Sequence, residues 1–182
     1  MKFVISGGFG VGKTTFVGAI SEIEPLRTEA AMTSVSSGVD DLTHIAAKTT
    51  TTVAMDFGRI TVDEALVMYL FGTPGQDRFG FMWDDICIGA LGAVVLVDTR
   101  RIDQCFPAVD YFEAKGIPFV VGVNIFDGAP RYAIDEIRDA LGVGTHVPLI
   151  ECDARTRESV KVALITLLES LVAQARAREG VA

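Results

Sequence analysis

The chain has 182 residues, of which 49% are hydrophobic and 22% are charged, and its formal net charge is −8. This length and composition predict one globular domain and exclude a disordered or fibrous chain. Because the basic residues are scattered, the sequence argues against a face that binds nucleic acid or an anionic membrane, since either needs clustered Lys and Arg.

The first predicted element is a short apolar strand, Phe3-Val4-Ile5, followed by a glycine-rich turn. Residues 7–14 read GGFGVGKT and match the phosphate-binding template G-x-x-x-x-G-K-[ST]. Backbone N–H groups in such a turn form a nest for phosphate oxygens at the start of a helix. Lys13 can then reach the terminal phosphates, and the Thr14 hydroxyl can ligate Mg²⁺. The helix is expected from about Lys13 to Ile23, and the predicted phosphate-binding residues are Gly7, Phe9, Gly10, Val11, Gly12, Lys13, Thr14 and Thr15.

Residues 26–52 form a long connection of low periodicity that ends in four adjacent threonines. Such a connection inside a compact domain is usually functional or mobile. A hydroxyl at its end could close on Mg²⁺ and the γ-phosphate when a triphosphate is bound. We predict Thr52 for this role, with Thr51 as the second choice and a polar loop end as the alternative. An edge strand should follow, because Val53, Met55 and Phe57 alternate with smaller or polar residues.

The apolar run 65–71 predicts a strand buried on both faces, which Gly72-Thr73-Pro74-Gly75-Gln76 ends. Gly75 can offer its N–H to the γ-phosphate, and Gln76 can orient the attacking water. A simple Pro-Gly turn is the alternative. Apolar side chains follow beside this turn, and we predict either an effector face or burial for Phe79, Phe81, Met82 and Trp83.

Further apolar strands at 93–97, 119–123 and 147–150 alternate with predicted helices. One helix should start near Asp103 and stop at Gly116, another should open at Pro130, and the last should carry Val160 and Leu164. This alternation predicts an α/β fold with three layers, a mostly parallel six-stranded sheet, one antiparallel edge strand and about five helices. Ligands bind such sheets at the carboxyl ends of the strands.

Two of those strand ends carry candidate residues for binding a base. Asp127, in Asn124-Ile125-Phe126-Asp127, can accept two N–H bonds from guanine, a pair that adenine lacks. An Asx turn is the alternative for Asp127. After the last strand, Cys152-Asp153-Ala154-Arg155 can offer a backbone N–H to guanine O6 while Arg155 packs along the base plane.

Three cysteines, Cys87, Cys105 and Cys152, lie far apart without CxxC spacing. We expect reduced, buried thiols in a cytoplasmic protein. The chain enters a strand at once, which leaves no room for a signal peptide, and no apolar run approaches the roughly 18 residues of a membrane span. Direct membrane insertion is not expected, so membrane recruitment would need a partner.

Taken in order, GGFGVGKT, TTTVAMDF, GTPGQD, NIFD and CDAR resemble the motifs of the Ras-like small GTPases over nearly the whole chain. The resemblance looks closest to the small GTPases of the actinobacterial conservon operons, which are related to the bacterial gliding-polarity GTPases. It implies a single G domain over 1–182 that is a P-loop NTPase binding GTP or GDP with Mg²⁺. Switch I would span about 33–52 and switch II about 72–84. Asn124 would brace the base site, and Asp153, Ala154 and Arg155 would line it.

The same resemblance suggests three kinds of partner, namely a roadblock-type protein, a sensor-kinase-like membrane protein and an effector. The chain also departs from the family pattern at three positions. Gly72 stands where an aspartate usually holds Mg²⁺ through water, Ile125 replaces a lysine beside the base, and Phe9 replaces a small residue near the γ-phosphate. An arginine in cis cannot be singled out from the sequence, where Arg27, Arg59, Arg78 and Arg100 are all conceivable.

These patterns predict a GTP-binding molecular switch that hydrolyses GTP slowly and signals through protein partners. Gln76 and Lys13 are the predicted catalytic residues, and Thr14 and Thr52 the predicted metal ligands. Two alternatives stay open. The first is a nucleotide-binding interaction module with little or no turnover, which Gly72 and Phe9 favour. The second is an ATPase, or an ATP- and GTP-binding protein of relaxed base specificity.

Overall fold

A computed structural model describes residues 1–24, 26–32, 51–75 and 77–179 and shows one sheet covered by helices on both faces. Its strands are β1 (Lys2–Gly7), β2 (Leu26–Met32), β3 (Thr51–Thr61), β4 (Val67–Gly72), β5 (Gly92–Val97), β6 (Phe119–Asn124) and β7 (Leu149–Cys152). Its α-helices are α1 (Lys13–Ile20), α2 (Trp83–Cys87), α3 (Phe106–Lys115), α4 (Ile134–Leu141) and α5 (Arg157–Glu179). Two 3₁₀ helices cover Asp77–Met82 and Thr99–Cys105.

The strand order of the sheet is β2-β3-β4-β1-β5-β6-β7. Strands β4, β1, β5, β6 and β7 run parallel, whereas β3 is antiparallel to both of its neighbours. The predicted α/β class, the six predicted strands, the single antiparallel strand and the five helices are confirmed. Strand β2 is an addition, because the sequence reads as a connection there. The antiparallel strand therefore lies one place inside the edge of the sheet, and β2 forms the edge.

Each face of the sheet has its own apolar core, which explains why β5 and β6 are buried along their whole length. The prediction of two buried faces is wrong for β4, because Tyr69 in the middle of this strand is 40% exposed. On one face, Val95 and Val121 pack with Phe112 of α3 and Ile137 of α4. On the other face, strand residues of β1 and β5 pack against α1 and α5, in a cluster that includes Phe3, Leu96, Phe16, Val160 and Leu164. The inward face predicted for the last helix is thereby confirmed.

Three predicted helix starts and ends shift by a few residues, and one of them is the start of α4, which lies at Ile134 instead of Pro130. Helix α1 ends at Ile20 instead of Ile23, because the Ser21 hydroxyl accepts from the backbone N–H of Ile23 and of Arg59 and so supports a turn. Helix α3 begins at Phe106, since the residues from Thr99 to Cys105 form a 3₁₀ helix. The predicted glycine stops are confirmed, and both Gly116 and Gly142 adopt left-handed backbone conformations.

All three cysteines are buried and free, as expected. Burial raises the pKa of the Cys105 thiol to about 12 and that of the Cys152 thiol to about 11, so both stay protonated at neutral pH. Among the residues described, the helices are too short or too polar to cross a bilayer.

Because β1, β4, β5, β6 and β7 point the same way, the segments that follow them meet along one edge of the sheet. The candidate residues named above lie in these segments. Predicted switch I falls mostly on residues 33–50, which lie outside the described residues. Gln76 also lies outside them.

Candidate nucleotide-binding site

The phosphate loop connects the end of β1 at Gly7 to the start of α1 at Lys13. Gly12 caps the helix with φ 108°, a conformation that side chains rarely adopt. A Cβ atom at Gly12 would also lie 2.7 Å from Asn124 Nδ2. The loop therefore has the strand–turn–helix setting that the motif requires, with the first N–H groups of α1 available for an anion.

The Lys13 side chain is buried and folds back onto this loop. Its Nζ atom donates to the carbonyl oxygens of Gly7 and Gly8, both at 2.7 Å. Desolvation lowers the pKa of Lys13 from 10.5 to about 8, and the nearby Asp56 partly opposes that shift. An ammonium bonded only to backbone carbonyls gains a stronger partner when phosphate arrives.

Gly75 approaches the phosphate loop so closely that a side chain there would collide with it. A Cβ atom at Gly75 would lie 2.5 Å from Lys13 Nζ and 2.9 Å from both the Gly8 oxygen and Phe9 Cα. A hydrogen bond of 2.9 Å between the hydroxyls of buried Ser6 and Thr73 also holds the start of predicted switch II against β1. Gly75 thus lies where its N–H can face a terminal phosphate.

Asp56 of β3 is a site residue that the motif search missed. Its side chain is only 8% exposed, and its Oδ2 accepts a 2.6 Å hydrogen bond from the Thr14 hydroxyl. It also lies against Gly72, where an added Cβ would be 3.0 Å from Asp56 Cβ and 3.2 Å from its Oδ2. A carboxylate is therefore present beside the phosphate loop, although the motif position itself is glycine.

Asn124 joins the two ends of the candidate cleft. Its Nδ2 donates to the Val11 carbonyl at 2.8 Å, and its Oδ1 accepts from the Ala154 N–H at 3.0 Å. All three residues are buried. A single side chain therefore holds the phosphate loop and the loop after β7 in fixed relation.

Asp127 lies at the mouth of this cleft, with its side chain 85% exposed. Both of its oxygens pair with Arg155, at 2.8 Å to Nη1 and 3.2 Å to Nη2, and the hydrogen bond from Arg155 holds the pKa of Asp127 below its usual range. Arg155 also pairs with Asp153 through two bonds of 2.9 Å. The guanidinium of Arg155 thus pairs with Asp127 through its edge. The sequence analysis instead predicts that Arg155 packs along the plane of a bound base.

Behind the phosphate loop, the segment after β5 contributes a second acidic group, the buried Asp98. Arg100 pairs with both of its oxygens, at 2.9 Å from Nε and 2.8 Å from Nη2. Arg100 also covers the Phe126 ring at 3.8 Å from the ring centroid. Its neighbour Arg101 turns towards the phosphate loop, where its Nη2 donates to the Phe9 carbonyl at 3.2 Å.

The structure therefore brings together the phosphate loop, Gly75, Asn124, Asp127 and the segment 153–155. Thr52 lies in β3 opposite Ala31, and its side chain is outside the description. Asp56 and Arg101 are the two residues near the loop that sequence reasoning missed. A signal for Asp56 existed, because it is the one acidic residue in a strand whose flanking Met55 and Phe57 are apolar.

Comparisons with known proteins agree with this geometry. A family model described as conserved hypothetical ATP binding protein matches residues 5–174. The uncharacterized protein MJ1339 of Methanocaldococcus jannaschii is 28% identical over 129 residues, which cover 70% of this chain and 71% of that protein. The Ras-related protein RABC2a of Arabidopsis thaliana is 24% identical over 172 residues, which cover 88% of this chain and 72% of that protein.

Solved structures share the fold at low identity. The FeoB G-domain from Methanococcus jannaschii superposes with a TM-score of 0.60 at 13% identity, covering 93% of this chain and 96% of that chain. The cytosolic domain of the T. maritima FeoB iron transporter in its GMPPNP form gives a TM-score of 0.64 at 15% identity, covering 93% and 63%. These likenesses show that the chain has the fold of a G-domain. Because the family model spans nearly its whole length, the chain belongs to the family of conserved hypothetical ATP binding proteins.

Proposed function

We propose that this chain is a GTP-binding switch that hydrolyses GTP slowly and signals through protein partners. The observation that supports the proposal is the pair of hydrogen bonds of Asn124, which connect the phosphate loop to the loop after β7, whose Arg155 pairs with Asp127. Asp127 and the Ala154 N–H lie at one end of the candidate cleft, and Lys13 and Gly75 lie at the other.

Guanine selection rests on Asp127, because one carboxylate can accept from both guanine N1–H and N2–H₂. In this structure both oxygens of Asp127 are paired with Arg155. Exposed ion pairs are weak, so a base that brings its own pair of N–H groups can displace the guanidinium. Arg155, still paired with Asp153, would then be free to pack along the base.

In hydrolysis, a water oxygen attacks the γ-phosphorus, and the bond to the β–γ bridging oxygen breaks with its electron pair left on GDP. Lys13 would move from the Gly7 and Gly8 carbonyls to the phosphates, and the Gly75 N–H would face the γ-phosphate. Gln76 is proposed to orient the attacking water.

The chain's residues fit Mg²⁺, since a buried carboxylate and a hydroxyl already meet beside the phosphate loop at 2.6 Å. Magnesium favours oxygen ligands and is commonly bound through one or two carboxylates plus substrate phosphates. Thr14 and Asp56 would hold it, with Thr52 closing on it from switch I. When bound, the ion would offset negative charge on the phosphates.

The test is calorimetric titration of nucleotide-free protein with GDP, ADP and xanthosine diphosphate. We expect GDP to bind at least about 100-fold more tightly than ADP, because a site built on paired hydrogen bonds rejects an unmatched base. Asp127→Asn should weaken GDP and favour xanthosine diphosphate, whose C2 carbonyl can accept from an amide N–H. Asp139→Asn, an exposed site on α4, is the matched control and should change nothing.

The second candidate is an ATP-binding protein of relaxed base specificity, which the family description favours. Equal affinities for GDP and ADP in the wild type would establish it. A third outcome, tight GTP binding without phosphate release in single-turnover assays, would leave an interaction module. Exposed Phe9 beside the loop is the feature that favours this outcome.

The partner proposal rests on family resemblance and on one surface. Phe81 is 61% exposed beside predicted switch II, whereas Trp83 is buried and donates its indole N–H to the Pro74 carbonyl at 3.3 Å. Of the four residues predicted for the effector face, Met82 is half-buried, and the side chain of Phe79 lies outside the described residues. The proposed partners are a roadblock-type protein, a sensor-kinase-like membrane protein that recruits the chain, and an effector. A closer kinship with the conservon GTPases is likewise a proposal.

A further inference from the structure

Arg101 has an arrangement that its ion pair alone does not explain. It interrupts the 3₁₀ helix with φ −148° and ψ 56°, which turns its side chain away from the helix and over the phosphate loop. Its Nη2 lies 3.2 Å from the Phe9 carbonyl and would lie 3.5 Å from a Cβ at Gly10. The guanidinium therefore rests directly on the backbone of the loop, at a place where the loop has no side chain.

Asp98 does not require Arg101 as a partner. Both carboxylate oxygens already pair with Arg100 at 2.8 and 2.9 Å, whereas the Arg101 contact with Asp98 is 3.5 Å long. The Arg101 side chain is also 41% exposed, so its charge is neither buried nor fully matched. Asp98 thus anchors one side of Arg101 and leaves the other side free to meet an anion.

Arg101 approaches the phosphate loop at Phe9, and Gly75 approaches the loop at the same residue. Phe9, Lys13 and Gly75 converge there, as the near-collision of a Cβ at Gly75 with Lys13 Nζ and Phe9 Cα shows. Arg101 contacts the carbonyl of the same Phe9. Among the arginine side chains that the structure describes, it is the one that hydrogen-bonds to the phosphate loop.

We propose that Arg101 is a catalytic arginine supplied in cis, which contacts the γ-phosphate of bound GTP. This inference rests on the proposed function. As the water oxygen bonds to phosphorus and the bridging oxygen leaves with its electron pair on GDP, negative charge grows on the oxygens around the reacting phosphorus. The Arg101 guanidinium offsets that charge with two N–H donors, an effect worth about 10³–10⁵ in rate where such an arginine operates. Proton transfer from the water to phosphate or solvent is unchanged by this role.

The experiment compares single-turnover hydrolysis of preloaded GTP by the wild type, Arg101→Ala, Arg101→Lys and the control Arg178→Ala. Arg178 is exposed near the end of α5, so the control removes the same charge far from the loop. We expect a rate loss of at least about 100-fold in Arg101→Ala and a partial loss in Arg101→Lys, which keeps the charge without the fork. The control should stay within about twofold. Binding of GDP with aluminium fluoride, a stand-in for the transferring phosphoryl group, should be lost in Arg101→Ala.

GDP affinity separates this inference from the proposed function. Arg101→Ala should bind GDP within about threefold of the wild type, because a group that acts in the transition state contributes little to ground-state binding. If the variant binds GDP normally and hydrolyses GTP at the wild-type rate, the inference is wrong and the GTPase proposal stands. If the wild type binds GTP but does not hydrolyse it, the inference about Arg101 is also wrong, because an arginine in cis needs no partner. If Arg101→Ala melts at a lower temperature than the wild type, Arg101→Gln replaces it in the same comparison. Failure of the wild type to bind GTP refutes the proposed function itself.

Discussion

Replacing Asn124 with alanine should destabilise the nucleotide-free protein, because one side chain holds two loops together. The change removes the hydrogen bonds to the Val11 carbonyl and from the Ala154 N–H. Val11, Asn124 and Ala154 are all buried, so water reaches the orphaned groups poorly. Each unsatisfied buried group costs about 1–3 kcal/mol, and we expect a total loss of about 2–4 kcal/mol in the free energy of unfolding.

The assay is urea unfolding without nucleotide, followed by the fluorescence of Trp83, the single tryptophan of the chain. For a domain of this size the expected loss lowers the melting temperature by about 5–15 °C. Asn124→Asp keeps an acceptor for the Ala154 N–H but faces the Val11 carbonyl with a second oxygen, so it should destabilise at least as much. The control is Gln174→Ala, a half-buried amide of α5 that donates to the Ser170 hydroxyl at 3.2 Å. A loss below about 0.5 kcal/mol for Asn124→Ala would refute the reasoning, because surface changes already reach that size.

Four further predictions concern the phosphate end of the site. With a Lys13 pKa of about 8 and EDTA present, GDP affinity should fall about eightfold from pH 7.5 to pH 9 in fluorescence titrations, and Lys13→Met should abolish the dependence. The same lowered pKa makes the nucleotide-free fold gain stability as pH rises from about 8 to 10.5, because only the unfolded chain binds the proton there. Asp56→Asn should weaken Mg²⁺-dependent retention of GDP at least about tenfold. The double variant Asp56→Gly/Gly72→Asp should retain GDP better than Gly72→Asp alone. Unchanged retention in Asp56→Asn would exclude Asp56 as a magnesium ligand. Gly75→Ala should slow single-turnover hydrolysis at least about tenfold, because the added Cβ would meet backbone atoms of Gly8 and Phe9 at 2.9 Å. A wild-type rate in this variant would show that the segment around Gly75 does not close on the phosphate loop.

The parts of the molecule that local sequence specifies were predictable. The phosphate loop follows from eight consecutive residues, and the central strands follow from apolar runs that need two buried faces. The role of Asn124 was predicted from the resemblance of NIFD to a family motif. Asp127 was predicted from its place after a buried strand, whereas its pairing with Arg155 was not, because that pairing depends on side-chain conformations that spacing does not encode.

Features that depend on pairing between distant segments were not predictable from local pattern. Strand β2 reads as a loop because Leu26–Met32 lacks alternation, and its structure comes from seven paired positions along β3. The position of Arg101 over the loop depends on one unusual backbone conformation after β5. Arg100, its neighbour, was one of four arginines that the sequence left open, and its Nε and Nη2 atoms both pair with Asp98.

Asp56 shows how a departure from a motif can be interpreted once strand pairing is known. In the β3–β4 hairpin, Phe57 pairs with Phe71 and Gly58 with Leu70, so the same register places Asp56 opposite Gly72. A side chain at position 72 would crowd Asp56, since its Cβ would lie 3.0 Å from Asp56 Cβ and 3.2 Å from Asp56 Oδ2. The two residues are therefore complementary, and the acidic group beside Thr14 comes from the neighbouring strand. Glycine at the motif position thus does not by itself argue against metal binding, because the register across the hairpin restores the charge that the motif lacks.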